Sequence, residues 1–503
     1  MKTKRIVTLL VCFAMILGLF AGCGAKDSGS ETHEVEKIVY ATWTINTLPS
    51  NEAIQSVEDE INKISREKIG VEIDLQIYPV MEYSNKVAMD MQAGSQVDVF
   101  CAVQNFQAIL SQEMCADITD LLEENCPDVM KLIPEDWWEC TKKDGRIYTI
   151  PVWMPTALGL NVAWREDIAK ELNLDMDSVK SVEDLTAIFE IVHEAHPEMY
   201  CLVGGNAGFG GWTGMTYAIA GVDAMGDNPL MPAGVLMPGS DKVVNLFETE
   251  EYAKQMALVH EWYEKGYIMK DLATTTFTNI EILAGGNAFC NITGQGSAPE
   301  SVAANASAQT GVPLNSKLIG NSMISTNLPV NQSWCVASTS KHPQAALKFI
   351  NLTYCNAEIA NLLQWGIEGR DYVVNADGTV QPPEGFDASS VPYPGGYINM
   401  GNAYTGLEYT AAGTTKESVA WGVAQNTAAD RSVSFGFVFD SSKVVNQYAA
   451  VNNVIMQYYS ALDCGSADPD TEIPKFVQAL KEAGIDDIIA EKQAQYDAWR
   501  AAR

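Results

Sequence analysis

Eleven tryptophans are the residues best suited to engage a small molecule, because an indole face covers C–H surface while nearby polar groups take hydroxyls. Trp43 closes an apolar run, and Gln104-Asn105 closes another. Trp212 sits in the glycine-rich stretch Gly204–Gly214 (GGNAGFGGWTG), whose use is close backbone approach to a ligand or a tight turn. Each is weighed against plain packing, the commoner fate of a tryptophan. Trp137, Trp138, Trp262 and Trp499 are assigned to packing. Bond-making chemistry has less support. No G-x-S-x-G elbow occurs, and five histidines offer no recognisable nucleophile partner. His193-Glu194-Ala195-His196 has the wrong spacing for a zinc helix. The glycine cluster lacks the Lys-Ser/Thr ending of a phosphate loop. Asp463–Glu472 lacks the spacing of a calcium loop and reads as solvated. Neither catalytic residue, metal nor cofactor is expected. Acid pairs for glycoside hydrolysis could still hide among 64 carboxylates, since their separation is not written in sequence.

The elements that must position these residues follow from periodicity. Lys37–Trp43 reads as a buried strand, and Ile54, Val57, Ile61 and Ile64 recur at helical spacing after Ser50/Asn51. Val71–Ile77 alternates apolar and polar, a second helix runs over Glu82–Gln92, and Val97–Ala102 is a third strand. Strand–helix–strand–helix–strand implies a parallel sheet under helices, whose ligands lie beyond the carboxyl ends of the strands. Trp43 and Gln104-Asn105 fall there. Asp144-Gly145 marks a tight turn. Asn161–Asn173, Val182–Ala195, Tyr252–Lys265 and Pro343–Tyr354 are expected helices. Ile292–Leu328 is expected as loop and Ser333–Ser338 as strand. Asn375–Asn402 is a long ordered excursion, with Tyr393 and Tyr397 in it. Val444–Ser460, Ile473–Ala483 and Asp486–Arg500 are expected helices.

Export is expected from the first residues. Lys2, Lys4 and Arg5 precede the uncharged run Ile6–Phe20, which is too short to span a bilayer. Phe20-Ala21-Gly22-Cys23 resembles a bacterial lipobox, with Cys23 the lipidated residue, although Phe20 stands where Leu is usual. Residues 1–22 are then a signal and 23–36 a flexible tether. Removing the signal leaves 29 Lys+Arg against 64 Asp+Glu, a formal charge of −35. That charge disfavours nucleic acid and repels an anionic membrane, so membrane attachment would be through lipid only. Nine further cysteines (Cys101, Cys115, Cys126, Cys140, Cys201, Cys290, Cys335, Cys355 and Cys464) cannot pair completely, and most are expected as free, buried thiols.

Several segments together resemble the family 1 extracellular solute-binding proteins, the capture subunits of ABC importers. Asp144–Pro151 (DGRIYTIP), Ala157–Ile168 (ALGLNVAWREDI), Ile282–Gly294 (ILAGGNAFCNITG) and Val336–Asn351 (VASTSKHPQAALKFIN) carry the likeness in order. Ala163, Trp164 and Asn287 depart from it. Trp365–Tyr372 (WGIEGRDY), Gly436–Asp440 and the C-terminal helices are similar to LipO-like lipoproteins with their domain of unknown function. The resemblance implies an α/β, two-lobed periplasmic-binding-protein-like (type II) fold with hinge strands near Ile150–Thr156 and Trp334–Ala337. It implies one lobe from 37–152 and 285–335, another from 153–284 and 336–440, and a helical region 441–503 packed on the lobes. It adds Trp153, Trp334, Trp365, Glu368 and Arg370 to the ligand-wall candidates, with a structural Glu368–Arg370 ion pair as the alternative. The implied function is capture of a sugar or oligosaccharide by a monomer anchored outside the cytoplasmic membrane, and delivery to ABC permease subunits. A peptide or other small polar solute, and a lipid-anchored hydrolase or other surface carbohydrate-active protein, remain open alternatives.

Overall fold

The computed structural model describes residues 35–103, 106–203, 211–275, 277–395, 401, 407, 409–411 and 414–503. The expected signal, Cys23 and the tether up to residue 34, together with Gln104, Asn105, Tyr397 and most of the glycine cluster, lie outside the described residues; Glu36, expected in the tether, opens the first strand. Strand β1 (Glu36–Thr44), helix α1 (Asn51–Ile69), strand β2 (Val71–Pro79), helix α2 (Val80–Gln92) and strand β3 (Val99–Ala102) follow one another. Ser50 caps α1 by accepting from the Ala53 N–H, and Gly70 ends it in the left-handed region. The alternation along β2 is matched by alternating burial. β2 is an edge strand, and α1 covers its free backbone: the Asn62 amide bonds both N–H and C=O of Ile73, and Glu58 accepts from the Leu75 N–H. Short helix α3 (Phe106–Ser111) follows β3.

Next come β4 (Leu158–Arg165), β5 (Tyr200–Val203), α4 (Thr216–Ala220) and β6 (Ala288–Gln295). Helix α5 (Pro299–Thr310), β7 (Leu314–Ile324), β8 (Ser333–Val336), α6 (Pro343–Cys355), α7 (Ala357–Trp365) and β9 (Asp430–Arg431) complete the middle of the chain. Three C-terminal helices close it: α8 (Val445–Asp463), α9 (Pro469–Ala483) and α10 (Ile485–Ala501). The first sheet has the order β8-β3-β1-β2, parallel except for antiparallel β8. The second has the order β9-β7-β4-β6-β5, with β4 antiparallel to both neighbours.

Each sheet has its own apolar core, so the fold is two-lobed. Among the described residues the chain crosses between cores three times. Ala157 packs in the first core and Leu160 in the second; Ile319 in the second and Ile324 in the first; Phe435 in the first and Phe437 in the second. At the second crossing the pairing of β7 with β4 slips between Ile319 and Met323.

Several expectations change. Asn161–Asn173 is not one helix: its first part lies in β4, sandwiched between two strands and buried on both faces, where a continuous apolar run does not separate strand from helix. The stretch 292–328 is not mostly loop, because its alanines and serines build α5 between Pro299 and the Gly311 cap, and β7 follows. The division at 285–335 and 336–440 is exchanged in part: β6 and β7 belong to the second sheet, whereas Leu347, Phe349 and Leu363 fill the first core; Leu328 and Cys335 lie in the first core and Phe437 and Phe439 in the second. Trp334–Ala337 is no hinge, since β8 pairs with β3 inside the first lobe, and the first crossing falls just beyond Thr156. Helices α8–α10 share the second core through Ile455, Phe476, Leu480 and Ile488, while Ser441 and Arg503 of the same region reach Ser111 and Glu139 of the first lobe. Cys115, Cys126, Cys140, Cys201, Cys290, Cys335 and Cys355 are free thiols; Cys355 is exposed, and the other six are buried, as are Cys101 and Cys464.

Candidate functional site

A cavity of about 430 Å³ lies between the two cores, within the range of small-molecule sites. The first lobe contributes Ser84 from α2, Val103 after β3, Phe106 and Gln107 from α3, and Asn331 and Gln332 before β8. The second contributes Tyr217 from α4, the loop Gly226–Met231, Gly294 of β6, and Tyr448 and Asn452 of α8. Met154, Pro155 and Thr156 form a wall at the first crossing. Buried Asn426 fixes that wall: its Oδ1 accepts from the Thr156 and Ala157 N–H groups, and its Nδ2 donates to the Met154 carbonyl.

Gly294 explains the place of Tyr217, because a Cβ on Gly294 would stand 2.6 Å from the Tyr217 hydroxyl. Burial pushes the Tyr217 phenol up, so it remains a hydroxyl donor. Gln107 reaches from the first lobe to the Met225 carbonyl of the second at 3.4 Å. Neutral amides and hydroxyls dominate the polar lining, and rings of Phe106, Tyr217, Phe439 and Tyr448 supply apolar faces. The amide oxygens of Asn331 and Asn452, one from each lobe, are buried without a partner. Unpaired buried acceptors cost free energy until a donor reaches them. Asp227 is the one ionisable carboxylate among the described lining residues, and Lys492 pairs with it at 2.6 Å.

The tryptophans expected at a ligand wall lie elsewhere. Trp43 is buried in the first core, and Trp334 stacks on Tyr40 at 4.9 Å between ring centroids. Trp212 meets Trp262 edge-on in the second core, and Trp153 packs against Trp137 beside the wall residue Met154. Trp365 donates its indole N–H to the Tyr409 carbonyl. Glu368 is exposed, and Arg370 pairs with Asp371 at 2.7 Å rather than with Glu368. None of these seven lines the cavity. Gln104 and Asn105 stand in the chain between Val103 and Phe106, which do. Sequence reasoning missed Tyr217 and the amides; the one signal for Tyr217 is its place just after the glycine-rich stretch. His193 packs edge-on against Tyr267, His196 faces Glu171, and no metal-ligating group of three or more His, Cys, Asp or Glu occurs among the described residues.

Two cores joined by crossing strands, with a polar cavity between them, define a solute-binding architecture. The model of bacterial extracellular solute-binding proteins matches residues 60–369, and the chain belongs to that family. A domain of unknown function (DUF3502) matches residues 433–501. A carbohydrate ABC transporter substrate-binding protein of Streptococcus pneumoniae serotype 4 (strain ATCC BAA-334 / TIGR4) is 25% identical over 512 residues, covering 96% of each protein. The crystal structure of the N-glycan transport solute binding protein NgtS from Streptococcus pneumoniae has a TM-score of 0.76 at 23% identity, covering 92% of this chain and 98% of that one. The same protein in complex with Man5GlcNAc has a TM-score of 0.70 at 23% identity, over 93% and 99% of the two chains. The solved structures share the two-lobed fold.

Proposed function

We propose that this chain captures a neutral oligosaccharide in the interlobe cavity and hands it, chemically unaltered, to an ABC permease. The observation that carries the reading is the described lining: aromatic faces and neutral amides from both lobes, with its one carboxylate already paired with Lys492. Such a wall accepts hydroxyls and C–H faces, and its described residues offer an anion no free cation to meet. The relatives support the class of solute, since they are described as carbohydrate or N-glycan binding proteins. Hydrolysis by an acid pair needs two facing carboxylates, and the described lining holds one. The chain acts as a monomer, exported and held to the outer face of the membrane through Cys23.

Titration calorimetry against mannose–GlcNAc glycans and against uronate oligosaccharides of equal length tests the reading. Neutral glycans are expected to bind and raise the melting temperature, with the glycan recovered intact. Tyr217→Ala is expected to weaken that binding by about 1–3 kcal/mol. Preference for uronates, or release of shortened sugars, overturns the proposal. Cys23→Ser should free the protein from the membrane fraction; continued attachment would remove the lipid anchor from the reading.

A further inference from the structure

The region matched by the domain of unknown function reaches the cavity. Phe439, Ser441, Tyr448 and Asn452 all lie within 433–501 and line it. Their placement depends on a charge pair with no solvent exposure: Lys492 of α10 and Asp227 of the lining loop, both fully buried, 2.6 Å apart. Both oxygens of Asp227 are engaged. Its Oδ2 takes Lys492 and the Ala233 N–H at 2.8 Å, and its Oδ1 takes the Tyr448 hydroxyl at 2.6 Å. The Lys492 ammonium also donates to the Gly234 carbonyl at 3.2 Å and stands 5.1 Å from the centre of the Phe439 ring. One cation thus ties α10 to the 224–234 loop, lies beside the Phe439 ring and, through Asp227, reaches the Tyr448 hydroxyl.

A buried ion pair is a poor device for stability alone, because desolvation offsets much of the attraction and apolar residues of similar volume often serve as well. What it supplies is direction, since both carboxylate oxygens are engaged and the ammonium donates to two fixed acceptors, Asp227 and the Gly234 carbonyl. We propose that residues 433–501 are a working wall of the solute site, and that Lys492 is the positioning residue that sets the 227–231 loop and the Tyr448 ring against the ligand. The inference rests on the oligosaccharide reading for its ligand, but its structural half is independent of it.

The test uses the full mature chain with Lys492→Met and with the charge-neutral pair Lys492→Met/Asp227→Asn. Amide hydrogen exchange over 224–234 is read without ligand, and affinity is read for a mannose–GlcNAc glycan that the wild type binds. Both variants are expected to exchange at least about tenfold faster in that loop and to bind at least about tenfold more weakly. The double variant should regain most of the melting temperature lost by the single one, because no buried charge is left unpaired. Should Lys492→Met fail to fold, the double variant carries both readouts. Unchanged exchange over 224–234, or wild-type affinity in a double variant with a loosened loop, overturns the proposal. If the wild type binds no glycan, the oligosaccharide reading falls, and loop exchange alone decides the role of Lys492.

Discussion

Asp463 ends helix α8 fully buried, accepting from the Thr213 N–H at 3.0 Å and the Thr213 hydroxyl at 2.6 Å. Burial outweighs those bonds and pushes its carboxyl up to about 7. The folded state therefore keeps a proton that the unfolded chain, titrating near 4, has released. Its stabilising contribution is complete below about pH 4 and is lost as pH rises through about 7, by at most about 1.4 kcal/mol per pH unit. Asp463→Asn should flatten that component between about pH 4 and 7 in chemical denaturation series. A slope equal to that of the wild type would mean Asp463 stays ionised. The sequence hid this residue among the acids of 463–472, because nothing local separates a buried aspartate from solvated neighbours such as Asp468 and Asp470. The tryptophans misled for a related reason: an indole at a strand end is equally apt for a ligand and for the other layer of the lobe. Trp334 went to Tyr40 and Trp212 to Trp262, while lone amides such as Asn331 and Asn452, which carry no sequence pattern, reached the cavity.

At the level of elements, the third crossing is the most constrained by backbone geometry. Gly436 has φ +89°, and a Cβ there would stand 2.8 Å from that of Glu139 in the first lobe. Its N–H donates to the Thr326 hydroxyl, which itself donates to the Ser434 carbonyl. Gly436→Ala should destabilise the fold by roughly 1–3 kcal/mol from backbone strain, before any clash is counted. Denaturant midpoints measure this; a loss below about 0.5 kcal/mol would show that the segment relaxes freely. The elements of the first βαβ repeat were legible, since β1, α1 and β2 keep their periods and α1 carries its caps. The crossings were not. Which lobe receives β6, β7 or β8 depends on strand pairing between residues more than a hundred apart, as for Cys290 with Trp164, and periodicity carries no record of it. The domain-of-unknown-function helices were legible as helices, yet their membership in the second core was not, for the same reason.

For the whole molecule, the consequence of two cores and three crossings is that a ligand can favour closure only through groups on both sides. The cavity meets that condition, with Gln107, Asn331 and Gln332 on one lobe and Tyr217, Tyr448 and Asn452 on the other. Several contacts between the lobes cluster near the third crossing, among them Lys143–Asp440 at 2.9 Å and Ser441 to Ser111 at 3.3 Å. Contacts beside a hinge change little when the lobes part, so they bias the orientation of the lobes without supplying the force that shuts them. Under the proposed function that force is left to the ligand, whose differential affinity for the closed form would set the size of the shift. Small-angle scattering should therefore record a smaller radius of gyration at saturating glycan than without it. Tyr217→Ala, with one side of the clamp removed, should need more glycan to reach the same contraction. An unchanged scattering curve at a glycan concentration that raises the melting temperature would mean the cavity fills without movement, and binding would then be a property of one lobe.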